Sequence, residues 1–190
     1  SMLHDNMNGY GLIQIVLHWA TAGLVAVLLP LGLWMTGLDY YDPWYTRAPD
    51  LHRAIGVLFG LILLARWAWR LTRAQPPILA ASAREKTAAV LVHRLLYLVP
   101  LCLVISGYLI STADGRTVDV FGWFSVPATL QGIEGQADIA GDIHFALAML
   151  LLALIVLHVL GALRHHFVYR DDTLRRMLRP QTPPNPVEEQ

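Results

Sequence analysis

Four long apolar stretches constrain the fold of this chain more than any other feature of its sequence. They cover residues 11–36, 52–71, 89–111 and 142–167. Each is at least as long as the roughly 20 apolar residues that a helix needs to cross a bilayer. The connecting segments hold prolines, glycines and charges that favour loops. The sequence therefore predicts an all-α integral membrane protein built as a four-helix bundle.

Composition supports a membrane protein. Hydrophobic residues make up 55% of the 190 residues and charged residues only 15%, whereas soluble domains carry about 25% charged residues. The 14 basic and 14 acidic residues cancel, which argues against a nucleic-acid partner. We expect one four-helix domain over residues 1–180 and, because prolines accumulate at the end of the chain, a disordered tail at 181–190.

The distribution of lysine and arginine predicts the orientation in the membrane. Most of these residues lie in or beside the loop 72–88 and in the segment after residue 163. The loops 37–51 and 112–141, with their flanks, carry far fewer basic residues, namely Arg47, Arg53 and Arg116. Basic loops stay on the cytoplasmic side. We therefore expect both termini and the loop 72–88 in the cytoplasm.

Histidines are the most informative polar residues. The chain has eight of them: His4, His18, His52, His93, His144, His158, His165 and His166. At least five lie in the predicted spans or at their ends, and ionisable residues inside a membrane are rare and usually functional. A single such histidine could be a hydrogen-bonded packing residue. Five of them on four helices favour a shared site.

Helix geometry sorts four of these histidines into two pairs. His144 and His158 are 14 residues apart, which leaves them within roughly 40° of the same helix face and about 21 Å apart along the axis. One therefore lies near each membrane surface. His18 falls at the depth of His158, because the first span runs outward. His52 falls at the depth of His144, because the second span begins on the outer side.

Two imidazoles facing each other across a bundle suit a haem iron with both axial positions filled. Zinc, the chief alternative, prefers about four ligands at one depth. Any haem must be held without covalent links, because Cys102 is the single cysteine and no C-x-x-C-H motif is present. The pattern predicts haem iron bound by His18 with His158 and by His52 with His144.

Several segments together resemble the bacterial cytochrome b561 family, which includes membrane superoxide oxidase. They are LIQIVLHW at 12–19, LHRAIG at 51–56, RLLYLVPL at 94–101, DIHFALA at 142–148 and LHVLGALRHHF at 157–167. The resemblance covers roughly residues 9–180. It implies two b haems with axial ligands at the four paired histidines, ubiquinone as electron acceptor, and a multi-pass position in the bacterial inner membrane.

The resemblance also implies an activity and its alternative. Members of this short form are similar to superoxide oxidase, which takes electrons from superoxide outside the membrane and passes them to ubiquinone. Relatives serve instead as cytochrome b subunits that transfer electrons for a membrane hydrogenase or dehydrogenase. A haem-free transporter or metal-binding membrane protein is a third hypothesis. Inverted repeats or broken helices at mid-membrane would favour it, and the sequence shows neither.

Three further residues are candidates for a quinone site near the inner haem. His165 lies seven residues after His158 on nearly the same face. In the family interpretation it would hydrogen-bond quinone and give it a proton, or it is simply a polar residue at a helix end. Trp19 adjoins His18 and either lines the same site or anchors the interface. His93, at the same level, could bind a propionate or quinone, or replace a predicted ligand.

Arginines next to histidines are candidates for binding haem propionates, because guanidinium groups bind carboxylates with two parallel hydrogen bonds. They are Arg53 beside His52 and Arg94 beside His93. Extension toward lipid headgroups is an equally good explanation of both. For Arg66 and Arg70 on the second span, extension to the interface or a role in topology is the expectation. No catalytic residue is predicted.

Overall fold

The computed structural model describes residues 2–181 and contains four long helices. These are α1 Leu12–Met35, α2 Arg47–Leu71, α3 Ala83–Thr112 and α4 Gln136–Arg164. All four are long and apolar enough to cross a membrane. After α4 the chain continues in a π-helical turn, His165–Tyr169, and a one-turn helix, α5 Thr173–Arg176. The prediction of an all-α membrane bundle is confirmed.

The helices run alternately up and down, so the loops collect at two ends. The terminal end holds both chain termini and the loop between α2 and α3. Contacts within it join Asn6 Nδ2 to the Gln181 carbonyl at 3.2 Å and Arg176 Nη1 to the Pro77 carbonyl at 2.8 Å. The hairpin end holds the other two loops.

Three helices begin earlier than the apolar stretches predicted. The expected starts were residues 52, 89 and 142, whereas α2, α3 and α4 begin at Arg47, Ala83 and Gln136. Their first turns are polar and therefore lie outside the apolar stretches of the sequence. Pro49 does not break α2, because the first backbone N–H groups of a helix have no partner within the helix.

The start of α3 is fixed by side-chain caps. Ser82 Oγ accepts a hydrogen bond from the Glu85 backbone N–H at 3.2 Å. In return, Glu85 Oε2 accepts one from the Ala81 backbone N–H at 3.1 Å. This reciprocal arrangement is typical of a capping box, and it holds the Glu85 carboxylate at the terminal end of the bundle.

The long third loop contains a β-hairpin that the sequence analysis did not predict. Strands β1 Val118–Val120 and β2 Phe124–Val126 pair antiparallel, with Val118 opposite Val126. Val118 and Val120 are buried, and β1 packs against α2. The hairpin therefore covers the end of the bundle. A strand of three residues is too short to give a clear alternating pattern in the sequence.

An apolar layer separates the two ends. Val99, Leu151 and Leu154 form a buried cluster between α3 and α4, and Val25 and Leu29 of α1 pack against it. α3 packs most extensively on α4, and α1 on α2. Leu151 lies midway between His144 and His158 in α4, so the layer divides the bundle at half depth. The predicted disorder of the C-terminal tail falls mostly on residues 182–190, which lie outside the described residues.

Candidate histidine pairs and their surroundings

At the terminal end, the structure brings His18 of α1 close to His158 of α4. Their ring centroids lie 6.2 Å apart. His93 of α3 approaches the same group, with its centroid 5.4 Å from that of His158. Because α3 and α4 pack closely along their length, little room remains between His93 and His158. His18 is therefore the better partner for His158 across a planar cofactor.

At the hairpin end, His52 of α2 faces His144 of α4, again with ring centroids 6.2 Å apart. Ser106 Oγ lies 2.9 Å from His144 Nδ1 and donates to the Leu103 carbonyl at 3.1 Å. Since the hydroxyl proton is used in that bond, Oγ can accept from an Nδ1–H group. His144 is thereby held in the tautomer that leaves Nε2 free for a metal, as is typical of metal-bound histidines.

Both separations suit two axial ligands of one iron. A metal–imidazole bond of about 2.0–2.1 Å, and a ring centroid roughly 1 Å behind the nitrogen, put two axial imidazoles about 6 Å apart. Within residues 2–181, no group of three or more histidine, cysteine or acidic side chains is arranged to hold a metal ion. Paired imidazoles at two depths fit haem better than they fit zinc.

Glycines next to the histidines leave space that a larger side chain would fill. A Cβ atom added to Gly32 would lie 3.0 Å from His52 Cε1, and one added to Gly107 would lie 3.1 Å from His144 Cε1. At Gly56 and Gly161, which follow His52 and His158 by four and three residues, an added Cβ would meet nothing within 4 Å. The residues present therefore accommodate a flat group at each level.

Sequence analysis assigned no site role to a cationic cluster beside His18. Arg66 Nη2 lies 3.2 Å from His18 Nδ1, and its guanidinium lies over the Tyr97 ring, 4.7 Å from the centroid. Arg70 donates to the Tyr97 hydroxyl at 2.9 Å. Of the two expectations for Arg66 and Arg70, extension to the interface does not fit these contacts with His18 and Tyr97, and a role in topology stays a prediction. The position of Arg66 within an apolar span is the signal that could have identified it.

Arg66 lacks an acidic partner in the described part of the chain. None of the ion pairs among residues 2–181 includes it, and its buried Nε atom has no hydrogen-bond partner. A buried cation without a counterion is costly. Arg66 is therefore suited to bind an anionic group, such as a carboxylate, that comes from outside the chain.

The two arginines predicted as propionate partners lie elsewhere. Arg53 pairs with Asp50 through Nη1 and Oδ1 at 3.0 Å, and its side chain is 37% exposed. Arg94 is exposed and lies beside Lys86 and Leu91 on the outer face of α3. Neighbours on a helix point about 100° apart, so Arg94 turns away from the site that His93 faces.

His165 and Trp19 both belong to the terminal end. His165 Nδ1 lies 2.5 Å from Asp171 Oδ2, and its Nε2 lies 3.3 Å from Glu85 Oε1. Trp19 packs edge-on against His18, with centroids 5.0 Å apart. Its Nε1–H donates to the Met177 carbonyl at 2.7 Å. Trp19 therefore ties the first helix, at the level of a paired histidine, to the C-terminal segment.

A cavity of about 680 Å³ opens at the hairpin end, between the start of α2, the end of α3 and β1. Six charged residues are among those that line it: Arg47, Arg53, Arg116, Asp50, Asp114 and Asp119. Arg116 Nε pairs with Asp114 Oδ2 at 2.7 Å. The backbone N–H of Arg116 and its positive charge hold the pKa of the Asp114 carboxyl below its ordinary value. Arg47 lies over the Trp44 ring, 6.0 Å from its centroid.

A membrane bundle that pairs histidines of different helices has the architecture of a membrane cytochrome b. Comparison with known proteins agrees, since a model of the prokaryotic cytochrome b561 family matches residues 9–180. The chain belongs to that family. It is a membrane electron-transfer protein of the multi-pass, bacterial inner-membrane type, and the family binds haem b. The predicted resemblance and location are confirmed.

Individual relatives cover almost the whole chain. A protein of Escherichia coli (strain K12) named cytochrome b561 homolog 2 is 49% identical over 170 residues, which is 89% of this chain and 90% of that protein. A Yersinia pestis protein named probable superoxide oxidase CybB is 28% identical over 172 residues, 89% of this chain and 95% of its own length. A Cereibacter sphaeroides protein named cytochrome b562 is 31% identical over 179 residues, 91% of this chain and 97% of its own length.

Proposed function

We propose that this protein holds two b haems and transfers electrons from superoxide to ubiquinone. His18 and His158 would hold one haem, and His52 and His144 would hold the other. The equal separation of 6.2 Å in two histidine pairs at opposite ends of one bundle carries this proposal. Packing would explain a single pair equally well. It does not explain two pairs with the same separation at matched depths.

Other residues of the chain would hold and orient the two groups. Gly32 and Gly107 let the bundle approach the His52–His144 pair closely, and Ser106 orients His144. Arg66 and Arg70 would bind propionate carboxylates at the His18–His158 pair, where the sequence suggested Arg94. Haem b, if held by two histidines at each level, would supply one-electron redox chemistry there.

The proposed reaction balances two one-electron oxidations with one two-electron reduction. Two superoxide anions lose one electron each and leave as two molecules of oxygen. One ubiquinone takes up both electrons and two protons and becomes ubiquinol. The name of the Yersinia pestis relative, 28% identical to this chain, supports superoxide as donor. The basic residues at the terminal end support an orientation with both termini in the cytoplasm.

Each half-reaction would use one end of the bundle. The charged cavity beside the hairpin is the entry for superoxide, and Arg47, Arg53 and Arg116 supply its positive charge. Two of these arginines are already paired with aspartates, so steering of the anion would be modest. The His165 region at the terminal end is the site for ubiquinone. Trp19 and His93 lie about two helical turns away, at the level of the His18–His158 pair.

The alternative function, an electron-transfer subunit for a membrane hydrogenase or dehydrogenase, keeps the same haem sites. Exposed aromatic side chains at the hairpin end, Tyr41 and Trp123 among them, would then be covered by the partner protein. Membership of a haem-binding family leaves the third hypothesis, a haem-free transporter or metal-binding protein, without support.

A superoxide pulse applied to the purified, haem-loaded protein with a short-chain ubiquinone tests the proposal. We expect reduction of the haem within the pulse and one ubiquinol for every two superoxide anions consumed. Because the donor is an anion, the rate should fall modestly as salt concentration rises. Haem that is reduced by ubiquinol or dithionite but never by superoxide would overturn the proposed donor and favour the subunit function.

A further inference from the structure

Both ring nitrogens of His165 face carboxylates that come from two different parts of the chain. Nδ1 lies 2.5 Å from Asp171 Oδ2, and Nε2 lies 3.3 Å from Glu85 Oε1. The other oxygen of Glu85 accepts a hydrogen bond from the Tyr169 hydroxyl at 3.3 Å. Sequence analysis considered His165 alone, because the two acidic residues lie outside the predicted spans.

Local backbone structure creates this arrangement. Arg170 ends the π-helical turn with φ at 52°, in the left-handed region, and the chain reverses there. The Asp171 backbone N–H then donates to the His165 carbonyl at 3.2 Å, and Asp171 Oδ1 accepts from the Thr173 backbone N–H at 3.0 Å. Glu85 is fixed separately by its cap at the start of α3. The three groups are therefore held by independent elements.

The two ring nitrogens face their carboxylates differently: Nδ1 is hydrogen-bonded to Asp171, and Nε2 lies at ion-pair distance from Glu85. A carboxylate can only accept hydrogen bonds, and a neutral imidazole carries one N–H group. When Nδ1–H donates to Asp171, Nε2 and Glu85 Oε1 are two acceptors facing each other unless a second proton lies between them. The arrangement of Glu85, His165 and Asp171 therefore favours a proton between the imidazole and a carboxylate, where it can pass from one to the other.

The two carboxylates connect this proton to water. The side chains of Glu85 and Asp171 are 23% and 25% exposed, whereas that of His165 is 12% exposed. Partial burial raises the pKa of Asp171, but the hydrogen bonds from His165 and Thr173 outweigh it and hold that pKa below its ordinary value. Asp171 therefore stays ionised at neutral pH and accepts the imidazole N–H.

Basic residues do not neutralise the two carboxylates in the described part of the chain. The ion pairs of Glu85 and Asp171 within residues 2–181 are those with His165. Arg164 lies over the Tyr169 ring, 5.1 Å from its centroid, and Arg175 pairs with the exposed Asp172 at 3.4 Å. The negative charge of Glu85 and Asp171 therefore acts on His165.

We propose that Glu85 and Asp171 are positioning residues of a proton relay that delivers protons through His165 to the quinone. The relay rests on the proposed function, which places ubiquinone beside His165. A proton leaves His165 Nε2 for a reduced quinone oxygen, and a proton from Glu85 or from water replaces it. The carboxylate then takes a proton from water. Two such transfers, with the two electrons from superoxide, complete one ubiquinol.

Reoxidation of the pre-reduced, haem-loaded protein by a short-chain ubiquinone tests the relay without superoxide. We expect Asp171→Asn and Glu85→Gln each to slow reoxidation at least tenfold and to change its solvent deuterium isotope effect. Haem content and the reduced spectrum should stay those of the wild type. Asp172→Asn is the matched control, because it removes the adjacent, exposed carboxylate. Asp171→Glu should recover part of the rate.

The outcomes separate the relay from the proposed function. If the wild type is not reoxidised by the quinone, the quinone reaction is wrong and the relay falls with it. If the wild type is reoxidised and Asp171→Asn behaves like Asp172→Asn, the relay alone is overturned. Glu85→Gln keeps a side-chain oxygen that can still accept the hydrogen bond that caps α3. A slower reaction in this variant would therefore not reflect loss of the cap.

Discussion

The two ends of the bundle hold similar histidine pairs in different surroundings. At the hairpin end, His144 contacts the neutral Ser106 hydroxyl, and glycines lie against His52 and His144. At the terminal end, His18 contacts the guanidinium of Arg66, and further along α4 His165 lies between two carboxylates. The groups in contact with the histidines are neutral at the hairpin end and charged at the terminal end.

The contrast supports the proposal that each end of the bundle carries a different half-reaction. Neutral contacts at the hairpin end orient ligands and exchange no protons, which suits the uptake of single electrons. Charged groups at the terminal end can bind anions, alter a redox potential and supply protons, which suits reduction of a quinone. The apolar layer around Leu151 separates the two environments, so substitutions at one end should leave the other end unchanged.

Among variants that test this comparison, Gly32→Ala at the hairpin end is expected to have the largest effect. The new Cβ would lie 3.0 Å from His52 Cε1, and overpacking of this kind costs about 1–3 kcal/mol. Haem at the His52–His144 pair should therefore bind up to about a hundredfold more weakly. Haem titration with a difference spectrum would show it. Gly23→Ala on the same helix, with nothing within 4 Å, should bind normally.

Arg66→Gln is expected to have the next largest effect, confined to the terminal end. Loss of a nearby positive charge disfavours the reduced state, so the midpoint potential of the His18–His158 centre should fall by roughly 50–100 mV, as for one charge about 7–14 Å away in a medium of effective dielectric constant about 20. Redox titration measures it, with Arg53→Gln as control. An equal shift at both centres would contradict the separation of the two ends.

Ser106→Ala should weaken the hairpin end by a smaller amount. It removes the group that receives the His144 Nδ1–H, and loss of such an orienting partner lowers metal affinity about tenfold. Ser111→Ala is a matched control on the same helix, because Ser111 Oγ bonds only to the Gly107 carbonyl among the described contacts. Equal haem affinity in the two variants would show that the Ser106 contact does not orient His144.

The smallest effect concerns backbone strain, which occurs at both ends. Arg170 and Phe121 have φ values of 52° and 56°, a region that costs a residue with a side chain roughly 1–2 kcal/mol. Arg170→Gly and Phe121→Gly should each be neutral or more stable by up to about 1 kcal/mol, because glycine also gains freedom in the unfolded chain. Thermal unfolding in detergent measures this. A clear loss of stability in Arg170→Gly alone would give the Arg170 side chain a role of its own.

Helical periodicity and the length of the apolar spans were enough to predict the fold and the depth of the histidines in the bundle. Apolar spans mark membrane helices reliably, and the spacing of His144 and His158 fixes their relative depth on one helix. The polar first turns of α2, α3 and α4 were missed, because only apolar residues were counted. The β-hairpin was missed because its strands have three residues each.

The surroundings of the histidines were harder to predict, because they depend on contacts between distant residues. Arg66 reaches His18 across 48 positions, and Glu85 reaches His165 across 80. Adjacency in sequence suggested Arg53 and Arg94 instead, yet neighbours on a helix point in different directions. Gly32 and Gly107 gave no distinct signal, since glycine is common in membrane helices.

The central claim is that each histidine pair holds one haem. A haem count per chain, with a dithionite-reduced minus oxidised spectrum, tests it most directly. The proteins to compare are the wild type, His158→Ala and His144→Ala. We predict about two b haems in the wild type and one in each variant, with a different midpoint potential for the haem that remains. One haem in the wild type, or loss of the same haem from both variants, would contradict the assignment of one haem to each histidine pair.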